Sequence, residues 1–205
     1  MRKKGQMFLI SSVIIVVVLI LLKVNISLPD IMQQKKELEG KFEREFFTNI
    51  KNEIQKVIEI SYHQSKNITN NVFDFGNFTR KEMAERLLDF ELLYVSSITP
   101  KETGSVTMNV TLVNLLNKPI NATLILNSSV KNQDNIVDMT TWSTDFTVDQ
   151  GEDYVLTISY NGTYEENVTI KMESGKSKYV AFFDIVLKGL ETTYKDKFQK
   201  SYTLP

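Results

Sequence analysis

The sequence predicts an α+β protein in which an N-terminal transmembrane helix and an amphipathic helical stalk precede an all-β sandwich. Residues 7–22 form an uncharged, almost wholly apolar run. Residues 31–58 carry apolar side chains at helical spacing, and from residue 106 onward apolar and polar side chains alternate with a period of two. These patterns divide the chain into a basic leader (1–6), a transmembrane helix (7–24), a helical membrane-proximal region (30–96) and a β-sandwich domain (97–205).

The composition excludes several classes of protein. The formal net charge is -1 and the basic residues are interleaved with acidic ones, so nucleic-acid binding is not expected. The chain has no cysteine, which excludes disulfides, iron–sulfur clusters and thiolate zinc sites.

The apolar run predicts a membrane anchor. Its sixteen residues span roughly 24 Å as a helix, somewhat less than the ~30 Å core of a bilayer. Lys23 can extend its amine toward the headgroups and Val24 adds one more apolar position, so we expect the segment to cross. The lipid bilayer is therefore the first expected partner.

The charges on either side of the run predict its orientation. Arg2, Lys3 and Lys4 precede it, whereas the residues after it carry a mixture of both signs. This asymmetry predicts a single-pass protein of the cell membrane with a cytoplasmic N-terminus and an extracellular C-terminal domain. No small-residue cleavage site follows the run, so removal as an ordinary secretory signal is not expected.

The leader also contains a second kind of signal. The string from Arg2 to Gln6, followed directly by the apolar run, resembles the class III signal peptide of archaeal type IV pilin-like proteins and pseudopilins. The resemblance implies that a prepilin-type peptidase cuts after Gly5 and leaves Gln6 as the mature N-terminus. It also implies that the apolar helix packs against like pilin subunits in a filament. Ile10 stands where bacterial pilins have glutamate, an acid that archaeal relatives commonly lack. The alternative is a plain signal anchor with an incidental Gly-Gln pair.

An amphipathic helix is predicted after the interruption at Pro29 and Asp30. Asp30 can cap it, with Gln33 at the capping-box position, and it extends to about Gln64. We expect its distal half to pack on the chain's own domain, whereas the proximal half could also pack on neighbouring copies. Its apolar stripe consists of Ile31, Leu38, Phe42, Phe46, Ile50, Ile54, Val57 and Ile58.

A polar loop over residues 65–78 and a second helix are expected next. Thr79 and Glu82 form a capping box that predicts the start of this helix. Its buried stripe would be Met83, Leu87, Phe90 and Tyr94.

The remaining chain predicts seven or eight short strands. The alternation of residues 106–112 is typical of a half-buried strand, and Asn161-Gly162 between two such patterns predicts a tight hairpin. Further strands are expected near residues 122–126, 142–148, 179–187 and 192–202. The architecture resembles an immunoglobulin-like surface domain, without its Cys…Trp…Cys signature.

The chain contains more N-glycosylation acceptors than expected by chance. Sixteen asparagines and 33 serines or threonines predict about three Asn-x-Ser/Thr sequons, yet eight are present, all on the predicted outer side. Asn161 is a doubtful acceptor because a tight turn obstructs it. The candidate glycosylation sites are Asn25, Asn67, Asn77, Asn109, Asn121, Asn127, Asn161 and Asn167.

The sequence contains no recognisable set of catalytic residues, so an enzyme is not expected. No cofactor, metal or small-molecule substrate is expected either. His63 is the single histidine and has no second imidazole with which to share a metal. Glu165 and Glu166 follow a turn, where solvated carboxylates are expected. Asp184 lies in an apolar strand, facing outward or paired with a lysine.

These observations together predict a membrane-anchored extracellular surface protein resembling a type IV pilin or minor pseudopilin, acting in filament assembly or adhesion. The alternative is a non-polymerising, single-pass binding module of the cell envelope.

Overall fold

The computed structural model describes residues 2–25, 28–64, 67–161, 164–189 and 192–204. The chain forms two compact units, one up to Glu45 and one from Phe46 onward. Its described elements are three helices and nine strands: α1 Arg2–Asn25, α2 Leu28–His63, α3 Ile68–Glu85, β1 Asp89–Thr99, β2 Ser105–Leu115, β3 Ile120–Leu126, β4 Ser129–Ile136, β5 Thr140–Asp149, β6 Asp153–Tyr160, β7 Tyr164–Lys171, β8 Ser177–Lys188 and β9 Thr193–Leu204.

The N-terminal apolar run is helical, but among the described residues no helix is long and apolar enough to cross a membrane. The prediction of a transmembrane helix over residues 7–24 is therefore wrong. The predicted single-pass location, with a cytoplasmic N-terminus and an extracellular C-terminal domain, is wrong with it. The physical reason is length, because sixteen uncharged residues fall short of the roughly 20 that a span requires. Lys23 ends the run before that length is reached.

The helical region differs from the sequence prediction at both ends of α3. This helix begins at Ile68, inside the predicted loop, where the Asn67 side chain caps it by accepting from the Asn70 amide at 3.1 Å. Thr79 is a buried residue within the helix, so the predicted capping box is wrong. Leu87, expected in a buried stripe, is 78% exposed with a φ of 60°, and strand β1 begins two residues later.

The nine strands form two antiparallel sheets. Sheet A has the order β5-β2-β1-β8-β9 and sheet B the order β4-β3-β6-β7. The predicted hairpin is confirmed, since β6 pairs with β7 and Tyr160 lies opposite Tyr164. Asn161 has a φ of 53°, as this tight turn requires, and Gly162 lies outside the described residues.

The central strands of sheet A are buried on both faces, which gives the unit from Phe46 onward three layers. One face packs against sheet B through side chains such as Leu93, Val110 and Phe182. The other face packs against the distal part of α2 and against α3. The expected self-packing of the distal part of α2 is confirmed, because Ile54 and Ile58 are fully buried. The two packed sheets are compatible with the predicted β-sandwich, and the helices add a third layer to it.

Two ion pairs fix the helices on the sheets. Arg80 of α3 donates two hydrogen bonds to the Asp138 carboxylate, at 2.8 and 2.9 Å, and so ties the helix to the turn between β4 and β5. Lys51 of α2 pairs with Asp196 of β9 and lies 5.1 Å from the centre of the Phe198 ring. These pairs are partly exposed, so each contributes at most about 1 kcal/mol and serves mainly to orient the helices.

The packing of α2 on sheet A predicts unequal effects of one substitution at two sites. Ile54→Ala, at a fully buried position, should lower the free energy of unfolding by about 2–5 kcal/mol. The matched control Ile60→Ala, at a position that is 55% exposed on the same helix, should change it by less than about 1 kcal/mol. Urea denaturation followed by circular dichroism measures both values. Equal losses would contradict this packing.

Candidate functional site

The apolar segment, which we define as residues 7–22 of α1, exposes large hydrophobic side chains in every direction over positions 13–22. Ten consecutive apolar residues occupy positions 13–22, and at 100° per residue they surround the whole helix. Their exposed fractions range from 48% at Val17 to 59% at Ile15, and Phe8 is 80% exposed. Such a helix is normally buried on all sides, so this surface requires neighbours.

The proximal part of α2 exposes apolar side chains along a narrower stripe of the helix surface. Ile31, Leu38 and Phe42 are each more than half exposed and are spaced by seven and four residues. Lys35 and Glu39 form an ion pair of 3.6 Å on the same helix. One stripe beside charged residues fits a partner on one side, in contrast to the apolar segment.

The predicted processing site lies within the first two turns of α1. Gly5 and Gln6 are helical residues, and so are the three cations of the leader. The side chains of Arg2, Lys3 and Lys4 lie outside the described residues. A peptidase needs an extended substrate, so cleavage here would require these terminal turns to unwind, as helix ends readily do.

Besides Asn109, which accepts from Thr111, four of the eight sequons use the side-chain oxygen of asparagine in local hydrogen bonds. Asn67 caps α3, Asn121 accepts from the Asn135 amide, Asn161 accepts from the Asn121 amide, and Asn167 accepts from Thr157. These bonds leave the amide nitrogen, the atom that carries an N-linked glycan, pointing elsewhere. All four residues are exposed.

The other sequons have more varied surroundings. Asn127 is exposed in a turn with a φ of 53°, whereas Asn77 is half-buried within α3. The Asn109 amide nitrogen donates to Asp145 at 2.8 Å, so a glycan there would have to retain that bond through its remaining N–H. Asn25 is the last residue of α1, and its side chain lies outside the described residues.

The acids considered as catalytic candidates lie apart from His63. His63 is exposed at the end of α2, and Glu165 is exposed on β7. Glu166 pairs with Lys197 of β9. In the described part of the chain, no group of three or more His, Asp or Glu residues is arranged to hold a metal ion.

Asp184 joins the two sheets. Its side chain is buried, accepts a hydrogen bond from the Tyr160 hydroxyl of sheet B, and lies 3.4 Å from the Lys195 amine and 3.8 Å from that of Lys197. The expectation of a lysine partner is confirmed, but the side chain faces the space between the sheets. Because Lys197 also pairs with Glu166, the group links the four strands β6, β7, β8 and β9 and has a structural role.

A polar cleft opens on the outer face of sheet A, beyond the N-terminus of α3. Along this face β1 carries Phe90, Leu92 and Tyr94 under the helices, and then Ser96 and Ile98. The paired register places Ser96 beside Thr111 of β2, which lies beside Ser143 of β5. The side chains therefore change from apolar to polar where the helical cover ends.

The cleft has a volume of about 480 Å³. Thr111 contacts the Ser143 hydroxyl at 2.8 Å and donates to the Asn109 side chain at 3.1 Å, so this wall is internally hydrogen-bonded. The residues lining it are Asn67, Ile68, Thr69, Asn70, Ser96, Ile98, Asn109, Thr111, Thr141, Ser143 and Tyr179.

The buried Tyr179 lines the base of the cleft and contacts a second buried tyrosine, Tyr94. The hydroxyl groups of Tyr94 and Tyr179 are hydrogen-bonded to each other, and the Ser96 hydroxyl also bonds to them. Burial raises the pKa of both phenols, because the phenolate would lose its hydration. The pKa values of Tyr62 and Tyr202, which pack beside Tyr179, are raised for the same reason.

Sequence reasoning missed this cleft. The alternation of residues 106–112 predicts a strand that includes Asn109 and Thr111, but Ser96 falls in the predicted helical region 30–96. The start of α3 falls in the predicted loop 65–78, so the sequence does not anticipate the wall that closes the cleft. The useful signal was the Asn67-x-x-Asn70 pattern before an apolar residue, which is compatible with a capped helix start.

Comparison with known proteins gives no relative: no protein family, curated protein or solved structure matches this chain.

The tyrosine cluster predicts a loss of stability at alkaline pH. Since the folded pKa values of Tyr62, Tyr94, Tyr179 and Tyr202 lie above the unfolded value of about 10, the folded state retains protons that the unfolded state releases. Their contribution is fully present below pH ~10 and is lost as the pH rises through the folded values. Urea midpoints measured between neutral and strongly alkaline pH should fall only above pH ~10. Tyr179→Phe should reduce that fall, and an unchanged fall would contradict the assignment.

Proposed function

We propose that this chain is a structural subunit, similar to archaeal type IV pilin-like proteins, that assembles with further copies through the apolar segment of α1. The observation that carries the proposal is the run of ten exposed apolar side chains at positions 13–22, which surrounds the helix. A single groove could cover one face of such a helix. A bundle of like helices covers all of them.

Burial of the apolar segment provides a large driving force. Each Val, Leu or Ile side chain contributes about 1.5–3 kcal/mol when fully buried. The ten side chains are about half exposed, which leaves on the order of 10 kcal/mol per subunit before the entropic costs of association. That magnitude supports a stable assembly.

Copies of the same chain are the partner best suited to this surface. The apolar segment carries no charge that would select a different partner, and each copy supplies an identical segment. The stripe formed by Ile31, Leu38 and Phe42 offers a second line of contact along α2.

The leader gives the assembly a maturation step. Arg2, Lys3 and Lys4 would bring like charges together wherever the starts of several α1 helices converge. Cleavage after Gly5 by a prepilin-type peptidase would remove all three cations. The resemblance in residues 2–6 supports this order of events, with processing before assembly.

The processing step predicts the mature N-terminus. Mass spectrometry of the chain isolated from its native source should find Gln6 as the first residue. A Gly5→Leu variant produced in the same cells should keep residues 2–5, because a bulky side chain would occupy the cleavage position. A native chain that starts at Met1 or Arg2 would contradict processing.

The assembly surface predicts different effects of one substitution at two sites of similar exposure. Val17→Lys places a charge in the middle of the apolar segment and should weaken association by on the order of 10²-fold or more. The matched control is Val130→Lys on β4, since Val17 is 48% and Val130 52% exposed. Sedimentation velocity and electron microscopy measure assembly. Assemblies formed equally by both variants, or a monomeric parent chain, would contradict the proposal.

A further inference from the structure

The polar cleft has the chemistry of a site for a neutral ligand that is rich in hydroxyl groups. Nine of its eleven lining residues are polar, and none of the eleven carries a formal charge. Hydroxyl and amide side chains both donate and accept hydrogen bonds, as do the hydroxyls of a sugar. An ion would find no charged side chain on this lining to bind it.

Two isoleucines add an apolar contact to this polar surface. Ile98 is 48% exposed and lies on β1 next to Asn109 and Tyr179 in the paired register. Ile68, at the start of α3, is buried at the wall. A pyranose ring has hydroxyls at its edge and C–H groups on its faces. An exposed isoleucine beside hydrogen-bonding groups therefore suits both parts of the ring.

The base of the cleft is fixed before any ligand arrives. The Tyr94 and Tyr179 hydroxyls bond to each other, and Ser96 and Thr69 bond into the same group. Each of Tyr94, Ser96 and Tyr179 is at least nine-tenths buried. Since these side chains are already ordered, a ligand would lose little affinity to ordering them.

We propose that this cleft is a sugar-binding site. Its size, about 480 Å³, lies within the range of small-ligand pockets. The sugar has two possible sources, a free saccharide or a glycan attached to the chain itself, because the sequon residues Asn67 and Asn109 both line the cleft. This proposal is independent of assembly through α1.

Saturation-transfer NMR on the full chain tests the site directly. The chain is produced in a host without N-glycosylation and kept in a sugar-free detergent. The probes are methyl α-D-mannoside, methyl α-D-glucoside, methyl α-D-galactoside and N-acetyl-D-glucosamine at millimolar concentration. At least one probe should receive saturation at its ring C–H protons. A lack of transfer to all four would overturn the proposal.

Variants of β5 locate the binding. Thr141→Val and Ser143→Ala remove lining hydroxyls, and each should weaken binding by up to about tenfold, the effect of losing one hydrogen bond. The matched control Thr147→Val lies on the same outward face of β5 but outside the cleft, and should bind as the parent does. Circular dichroism checks folding. Binding that is unchanged in the Thr141→Val/Ser143→Ala double variant would overturn the proposal.

A comparison with the native chain separates the two sources of sugar. If a glycan on Asn67 or Asn109 fills the cleft, the native chain should carry it by peptide mass spectrometry and should show reduced transfer to the free probes. If the ligand is a free saccharide, native and unglycosylated chains should bind the probes equally. Both results support the site and differ only in the origin of its ligand.

Discussion

The burial of sheet A on both faces is the constraint on which the rest of the larger unit depends. Strands β1 and β8 lie at its centre and alternate between two hydrophobic cores, with Leu93 and Phe182 on one side and Leu92 and Phe183 on the other. A sheet that is apolar on both faces must be covered twice. Sheet B covers one face and the helices the other, so the place where the helices end determines where the polar cleft opens.

This double burial also explains which parts of the fold could be predicted from the sequence. Strands such as β6, β7 and β9 each have a polar edge or face. They can therefore be predicted from the alternation of apolar and polar residues or from the turn residues beside them. Strand β1 lacks that alternation, because Leu92, Leu93, Tyr94 and Val95 are all buried. Phe90 and Tyr94 also match the spacing of a helix, so the sequence pattern favours a helix where the structure has a strand. The start of α3 is predicted too late, at Thr79, because its first turns are rich in asparagine and only the Asn67 cap marks the start.

The apolar segment and the polar cleft could be predicted to different degrees, because only the first is contiguous in the sequence. The apolar segment is contiguous in sequence, so its composition alone identified it, although its length did not support the membrane span that was inferred. The cleft combines residues of α3, β1, β2, β5 and β8 that together span more than a hundred positions of the sequence. Only the register of the strands brings Ser96, Thr111 and Ser143 into one row. Such a row cannot be read from a single sequence without the pairing.

Strand β9, at the edge of sheet A, affects how readily the chain aggregates at high concentration. Strand β9 occupies an open edge and carries Lys195, Lys197 and Lys200. A strand added from another molecule would strip these charges of water and disturb the pairs that Lys195 and Lys197 make with Asp184 and Glu166, which discourages such addition. Copies of the chain at high local concentration would therefore resist aggregation into amyloid-like fibrils.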